Sequence, residues 1–96
     1  MSILNIVAIF TIKPEFNAEF QTEFKKIVEG SRKEQGCIQY DLNQDVKDPY
    51  TYVFTESWQS KQAIDEHNAE PHYKHFAQFA EGKVAKKTVH VMKQVI

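Results

Sequence analysis

The chain has 96 residues, 42% hydrophobic and 12% aromatic, with 12 basic side chains against 13 acidic ones and a net charge of −1. That length holds one core and leaves no room for a second domain, so residues 1–96 are read as a single unit; the balanced charge excludes the basic stripe that nucleic-acid binding requires. A lone arginine, Arg32, excludes a bidentate phosphate clamp within one chain, no apolar run approaches the roughly 20 residues of a membrane span, and the single cysteine, Cys37, points to a soluble protein of the reducing cytoplasm.

Residues 3–12 (ILNIVAIFTI) are rich in β-branched and aromatic types and predict a strand rather than a signal peptide, since neither a basic start nor a small-residue cleavage site accompanies them. Leu4, Ile6, Ala8, Phe10 and Ile12 share one face, and Ile3, Asn5, Val7, Ile9 and Thr11 share the other. Both faces are largely apolar, so cover is expected on both sides. Lys13-Pro14-Glu15 opens a helix, where proline's missing N–H costs nothing. Phe16, Phe20, Phe24, Ile27 and Val28 recur at helical spacing, and Gly36 is the candidate left-handed stop.

Residues 37–45 alternate, with Ile38, Tyr40 and Leu42 on one side, and predict a half-buried strand. A turn at 46–49 leads to a second strand over 50–58, making a hairpin. Ser60 caps a short helix carrying Ala63, Ile64 and His67; a second begins at Pro71, presents Tyr73, Phe76, Ala77 and Ala80, and ends at Gly82. Lys83, Lys86 and Lys87 read as a solvated loop before a last strand over 87–96.

The order is β-α-β-β-α-β with the second helix broken in two, which predicts an α+β, ferredoxin-like split sheet with helices on one face. The other face would be left bare. It is expected to carry large apolar side chains, and covering them is the physical case for a homodimer.

Three histidines, His67, His72 and His75, fall within nine residues. Their spacing matches no standard zinc signature, so no metal is expected; they are surface or capping groups, or pocket donors and a base that titrates near neutrality. Glu56 shares a strand face with Tyr52, Phe54 and Trp58. A carboxylate between aromatics must be paired, solvated in a cavity or raised in pKa, so it belongs to a salt bridge or to a pocket wall that orients a histidine. Asn5, flanked by Ile3 and Val7, either bonds at a sheet edge or interface or holds a substrate oxygen. Cys37 has no obvious base near it in sequence and reads as a small core residue.

GCIQY at 36–40, DP at 48–49, ESW at 56–58 and AIDEHNAEPHYKHF at 63–76 together resemble the antibiotic biosynthesis monooxygenase (ABM) domain family, closest to its small stand-alone quinol-monooxygenase-like members. The resemblance covers nearly the whole chain. It implies a dimeric α+β barrel, and an enzyme that oxygenates a small aromatic quinol or phenol with O2 and no cofactor. Carried onto this chain, it implies His67 as base with Glu56 as its orienter, and Asn5 and His72 as holders of substrate oxygens. Tyr40, Phe54, Trp58, Tyr73 and Phe76 would complete the pocket. Haem degradation, known in the same superfamily, is disfavoured because Ala77 stands about where the haem-ligating histidine would be. Two alternatives remain open: a non-catalytic small-molecule-binding or stress-response module, and an acid–base isomerase on the same fold.

Overall fold

The computed structural model describes residues 2–96. Its elements are β1 (Leu4–Ile12), a 3-10 turn (Pro14–Phe16), α1 (Asn17–Arg32), β2 (Cys37–Gln44), β3 (Thr51–Trp58), α2 (Lys61–Ala69), α3 (Pro71–Ala80) and β4 (Val84–Met92). The strands form one sheet in the order β2-β3-β1-β4, every neighbouring pair antiparallel. This is the expected α+β, ferredoxin-like arrangement, with β3 inserted between the two strands that α1 connects. No helix among the described residues is long and apolar enough to cross a membrane.

The core lies between the sheet and the helices. Phe20, Phe24 and Ile27 of α1 are buried at spacings of four and three residues, against Tyr40, Tyr52 and Phe54 of the sheet. Phe10, Phe20, Phe24, Phe54 and Phe76 form a continuous cluster of edge-to-face and tilted ring pairs with centroids 5.3–6.2 Å apart. Each buried phenylalanine contributes about 1.5–3 kcal/mol through burial. The break between α2 and α3 has a local cause: Pro71 forces Glu70 to extended geometry (ψ 144°), so one helix ends and the next starts on proline.

Several expectations are corrected. Gly36 is not a left-handed cap: α1 stops at Arg32, and the one positive-φ glycine among the described residues is Gly82, at φ 78°. Gly36 is required for another reason, because a side chain there would collide with Ala63 of α2. That contact seats α2 on the start of β2. Ile38 does not share a face with Tyr40; it is the extra residue of a bulge between Cys37 and Gln39 and is half exposed. The last strand spans Val84–Met92, not 87–96, because its partner β1 pairs only from Asn5 (with Met92) to Ile12 (with Val84). Lys86 and Lys87 therefore lie in a strand, and Lys83 donates to Phe79 O (3.0 Å) beneath the rings of Phe16 and Phe79.

The sheet face turned away from the helices also differs from expectation. Its centre carries Val7, Ile9 and Val53, with Thr11, Thr51 and Thr55 beside them and Asp41, Asn43, Lys86 and His90 on the outer strands. The large apolar side chains are on the helix side. What remains uncovered is a half-buried stripe of β-branched residues.

Candidate functional site

A cavity of about 150 Å³ opens between the sheet and the α2–α3 pair. Ile6, Ala8 and Phe10 of β1 form its floor, Phe54 and Glu56 of β3 one wall, and His67, Tyr73 and Phe76 of the helices its roof. Val89 and Val91 of β4, both exposed, mark its open side, since no helix covers that strand. A chamber of this volume suits one aromatic ring; apolar cavities of about 150 Å³ hold benzene. A second cavity of about 360 Å³ adjoins it, sharing Phe10, Tyr73, Phe76 and Lys87.

The ionisable groups lining the chamber are Glu56, His67 and Lys87, with the phenols of Tyr40 and Tyr73. Glu56 is 8% exposed, and burial pushes its carboxyl up to about 7; the Trp58 indole N–H, donating to Oε1 at 2.9 Å, opposes this, and the Glu34 charge adds to it. His67 is 2% exposed, and burial lowers its pKa against the opposing pull of Glu34. Burial therefore favours the uncharged form of both groups, an acid on one wall and a base on the roof, the tuning by environment that acid–base chemistry uses. Trp58, fully buried, separates them: its N–H holds Glu56 while its ring stacks on His67, centroids 4.4 Å apart at 38°. Burial and the Glu56 charge raise the Tyr40 phenol well above its ordinary range, so it stays protonated. Burial, then Glu34 and Glu56, push the Cys37 thiol up to about 11, which leaves it unreactive.

Of the residues singled out in the sequence, Tyr40, Phe54, Glu56, His67, Tyr73 and Phe76 all line the chamber. Trp58 stands behind the wall. Asn5 does not reach it: alternation along β1 turns Asn5 to the opposite sheet face, where its Oδ1 accepts from Ser57 Oγ at 2.7 Å. His72 is not a lining residue either; its Nε2 lies 2.6 Å from Glu34 Oε2. His75 is a surface group paired with Glu23 (2.9 Å). Nor does Glu56 orient His67. The carboxylate within hydrogen-bond reach of His67 is Glu34, whose Oε2 lies 2.6 Å from Nδ1.

Glu34 escaped the sequence reading. It sits just past α1 in a run of charged residues, 33 and 38 positions from its partners. The one available signal was the need of a histidine cluster for an acceptor. Glu34, His67 and His72 bring three possible metal ligands within 4.8 Å of one another. Ligands on a divalent ion with bonds of about 2.0–2.2 Å sit roughly 3 Å or more apart. The two 2.6 Å separations onto one oxygen are shorter and match hydrogen bonds to a carboxylate instead.

A split β-α-β sheet with a small apolar chamber under the α2–α3 pair, lined by Glu56, His67 and Lys87, defines an α+β domain of a recognisable class. Residues 3–78 match the family described as antibiotic biosynthesis monooxygenase, and the chain belongs to that family. It is 38% identical over 76 residues to the Bacillus subtilis (strain 168) protein named "Putative monooxygenase YcnE", covering 79% of this chain and 78% of that one. Among solved structures, PA3566 from Pseudomonas aeruginosa superposes with a TM-score of 0.93 at 26% identity, over 100% of this chain and 97% of that one. A crystal structure described as an antibiotic biosynthesis monooxygenase gives 0.92 at 33% identity, over 97% and 99% of the two chains.

Proposed function

We propose that this chain is a cofactor-independent monooxygenase that oxidises a small aromatic quinol or phenol with O2, working as a homodimer. The observation that carries the reading is the convergence of Glu56 and His67 on one ring-sized apolar chamber, where burial favours the uncharged form of each. His67 takes a phenolic proton, and protonated Glu56 donates a hydrogen bond to an oxygen of the ring. The electron-rich phenolate passes one electron to O2, and the radical pair recombines as a ring hydroperoxide. Loss of water then leaves the quinone, one oxygen atom in the ring and the other in water. The apolar walls keep bulk water from the intermediate. The half-buried Val7, Ile9 and Val53 stripe supports the homodimer, since no element among the described residues covers it and a second copy would.

Oxygen uptake with toluhydroquinone and menadiol, measured above their autoxidation, tests the reaction. Uptake is expected to fall by at least about 100-fold in His67→Ala, the scale of one general base. In the wild type the rate should decline as pH rises through about 7, where Glu56 loses its proton. An unchanged rate in His67→Ala overturns the assignment. The same acid–base pair would serve an isomerase that enolises a ketone, and turnover of a ketone without oxygen uptake would favour that reading instead.

A further inference from the structure

We infer that Glu34 is a positioning residue for His67, fixing the proton on Nδ1 so that Nε2 is the basic atom left for the chamber, with His72 as the second clamp that holds Glu34 in place. The inference rests on the reading of His67 as the base. Glu34 reaches this position from the turn after α1, where its N–H donates to Ser31 O (3.1 Å) and its carbonyl accepts from Cys37 N (3.1 Å). One carboxylate oxygen, Oε2, faces Nδ1 of His67 and Nε2 of His72, each at 2.6 Å. An ionised carboxylate only accepts, so both ring nitrogens carry the hydrogen they share with it. For a neutral His67 that leaves the lone pair on Nε2.

The surroundings hold the arrangement in place. The His67 and Glu34 side chains are 3% and 11% exposed, and His72 is 22% exposed. His72 packs so closely on α1 that a Cβ at Gly30 would come within 2.7 Å of its ring, so the clamp has no room to retreat. His67 is boxed by Trp58, Tyr73 and Tyr40, with ring centroids 4.4, 5.0 and 5.5 Å away. The charged or titratable groups that bear on it are Glu34, His72 and Glu70. When His67 accepts a proton, Glu34 is the anion in direct contact with the imidazolium, and the aromatic faces around it favour a cation. An orienting carboxylate of this kind changes rate through tautomer and charge while touching no substrate; its amide replacement in a comparable histidine site lowers kcat by about 10⁴-fold.

Nitrogen-15 NMR of the histidine rings of the free wild-type protein provides the first test and needs no substrate. The expected spectrum has His67 protonated at Nδ1 and bare at Nε2; a proton on Nε2 overturns the inference, whatever the protein catalyses. In Glu34→Gln, whose amide can donate to Nδ1, the proton should move to Nε2. Quinol oxidation, if it occurs, should then lose roughly 10²–10⁴-fold in kcat with KM changed less than about 3-fold. His72→Phe should give an intermediate loss, and His72→Gln, which keeps a donor for Glu34, should recover most of it. Stoichiometric uptake of Zn²⁺ by the wild type, with loss of the Nδ1 proton, would make the three side chains a metal site and overturn the inference. A wild type with the expected tautomer but no quinol oxidation would leave Glu34's role intact and sink only the oxygenase reading.

Discussion

Glu56→Gln should make the protein more stable at pH 8 than the natural chain, although the residue is 8% exposed and sits on the chamber wall. Burial raises the Glu56 carboxyl from 4.5 to about 7. The folded chain thus keeps its proton to near pH 7, whereas the unfolded chain gives it up near 4.5. The stability linked to that proton is fully present below about pH 4.5 and lost as pH rises through 7. At about 1.4 kcal/mol per pH unit over the gap from 4.5 to about 7, the loss is complete above pH 7 and amounts to roughly 3–4 kcal/mol. Glutamine has nothing to ionise, and its carbonyl can still accept the Trp58 N–H. The variant should therefore match the wild type near pH 4.5 and exceed it by roughly 3–4 kcal/mol at pH 8, which is about 10 °C or more in Tm for a domain of this size. His67 works in the opposite direction: its pKa is lowered, so its contribution is lost as pH falls from the ordinary histidine value through the folded one. It is common to both proteins and cancels in their difference. Urea or thermal unfolding of both proteins between pH 4.5 and 8, followed by circular dichroism, reads that difference. If it is the same at every pH, burial does not govern Glu56 and the neutral-acid role proposed for it fails.

Gly36→Ala should cost about 1–3 kcal/mol in chemical unfolding, because its new methyl group collides with Ala63 and α2 must shift. Phe76→Ala should cost about 3–5 kcal/mol and open the wall shared by the two cavities, so that two-ring naphthols gain affinity relative to single-ring phenols in a titration. Ile9→Lys, on the sheet face away from the helices, should elute as a monomer in size-exclusion chromatography with unchanged far-UV dichroism while the wild type elutes as a dimer; a monomeric wild type would remove the case for a homodimer.

The parts of the fold legible in advance were those written in local periodicity. The Phe20–Phe24–Ile27 stripe needs only the helical repeat, and α1 lies where that stripe puts it. Features decided by a distant partner were not legible. The limits of β4 are set by how far β1 extends beside it, and the need for glycine at position 36 comes from Ala63, 27 residues away. The candidate site divides along the same line. Glu56 stood out because a carboxylate among Tyr52, Phe54 and Trp58 contradicts its own strand face. Asn5 was misplaced because counting by two separates the faces of β1 without saying which one joins Glu56. The pairing of Ile6 with Glu56 and of Asn5 with Ser57 decides that. Glu34 carried no anomaly of its own, since a glutamate beside a lysine is what a helix end usually shows.

The position of Trp58 has a practical consequence. It is the chain's single tryptophan, shielded from solvent, hydrogen-bonded to one titrating group and stacked on the other. Its emission is therefore a built-in optical reporter: a proton gained or lost at either neighbour alters the field across the indole. A fluorescence titration of the unlabelled protein can follow the protonation of its own chamber, and a ligand entering that chamber should register in the same signal.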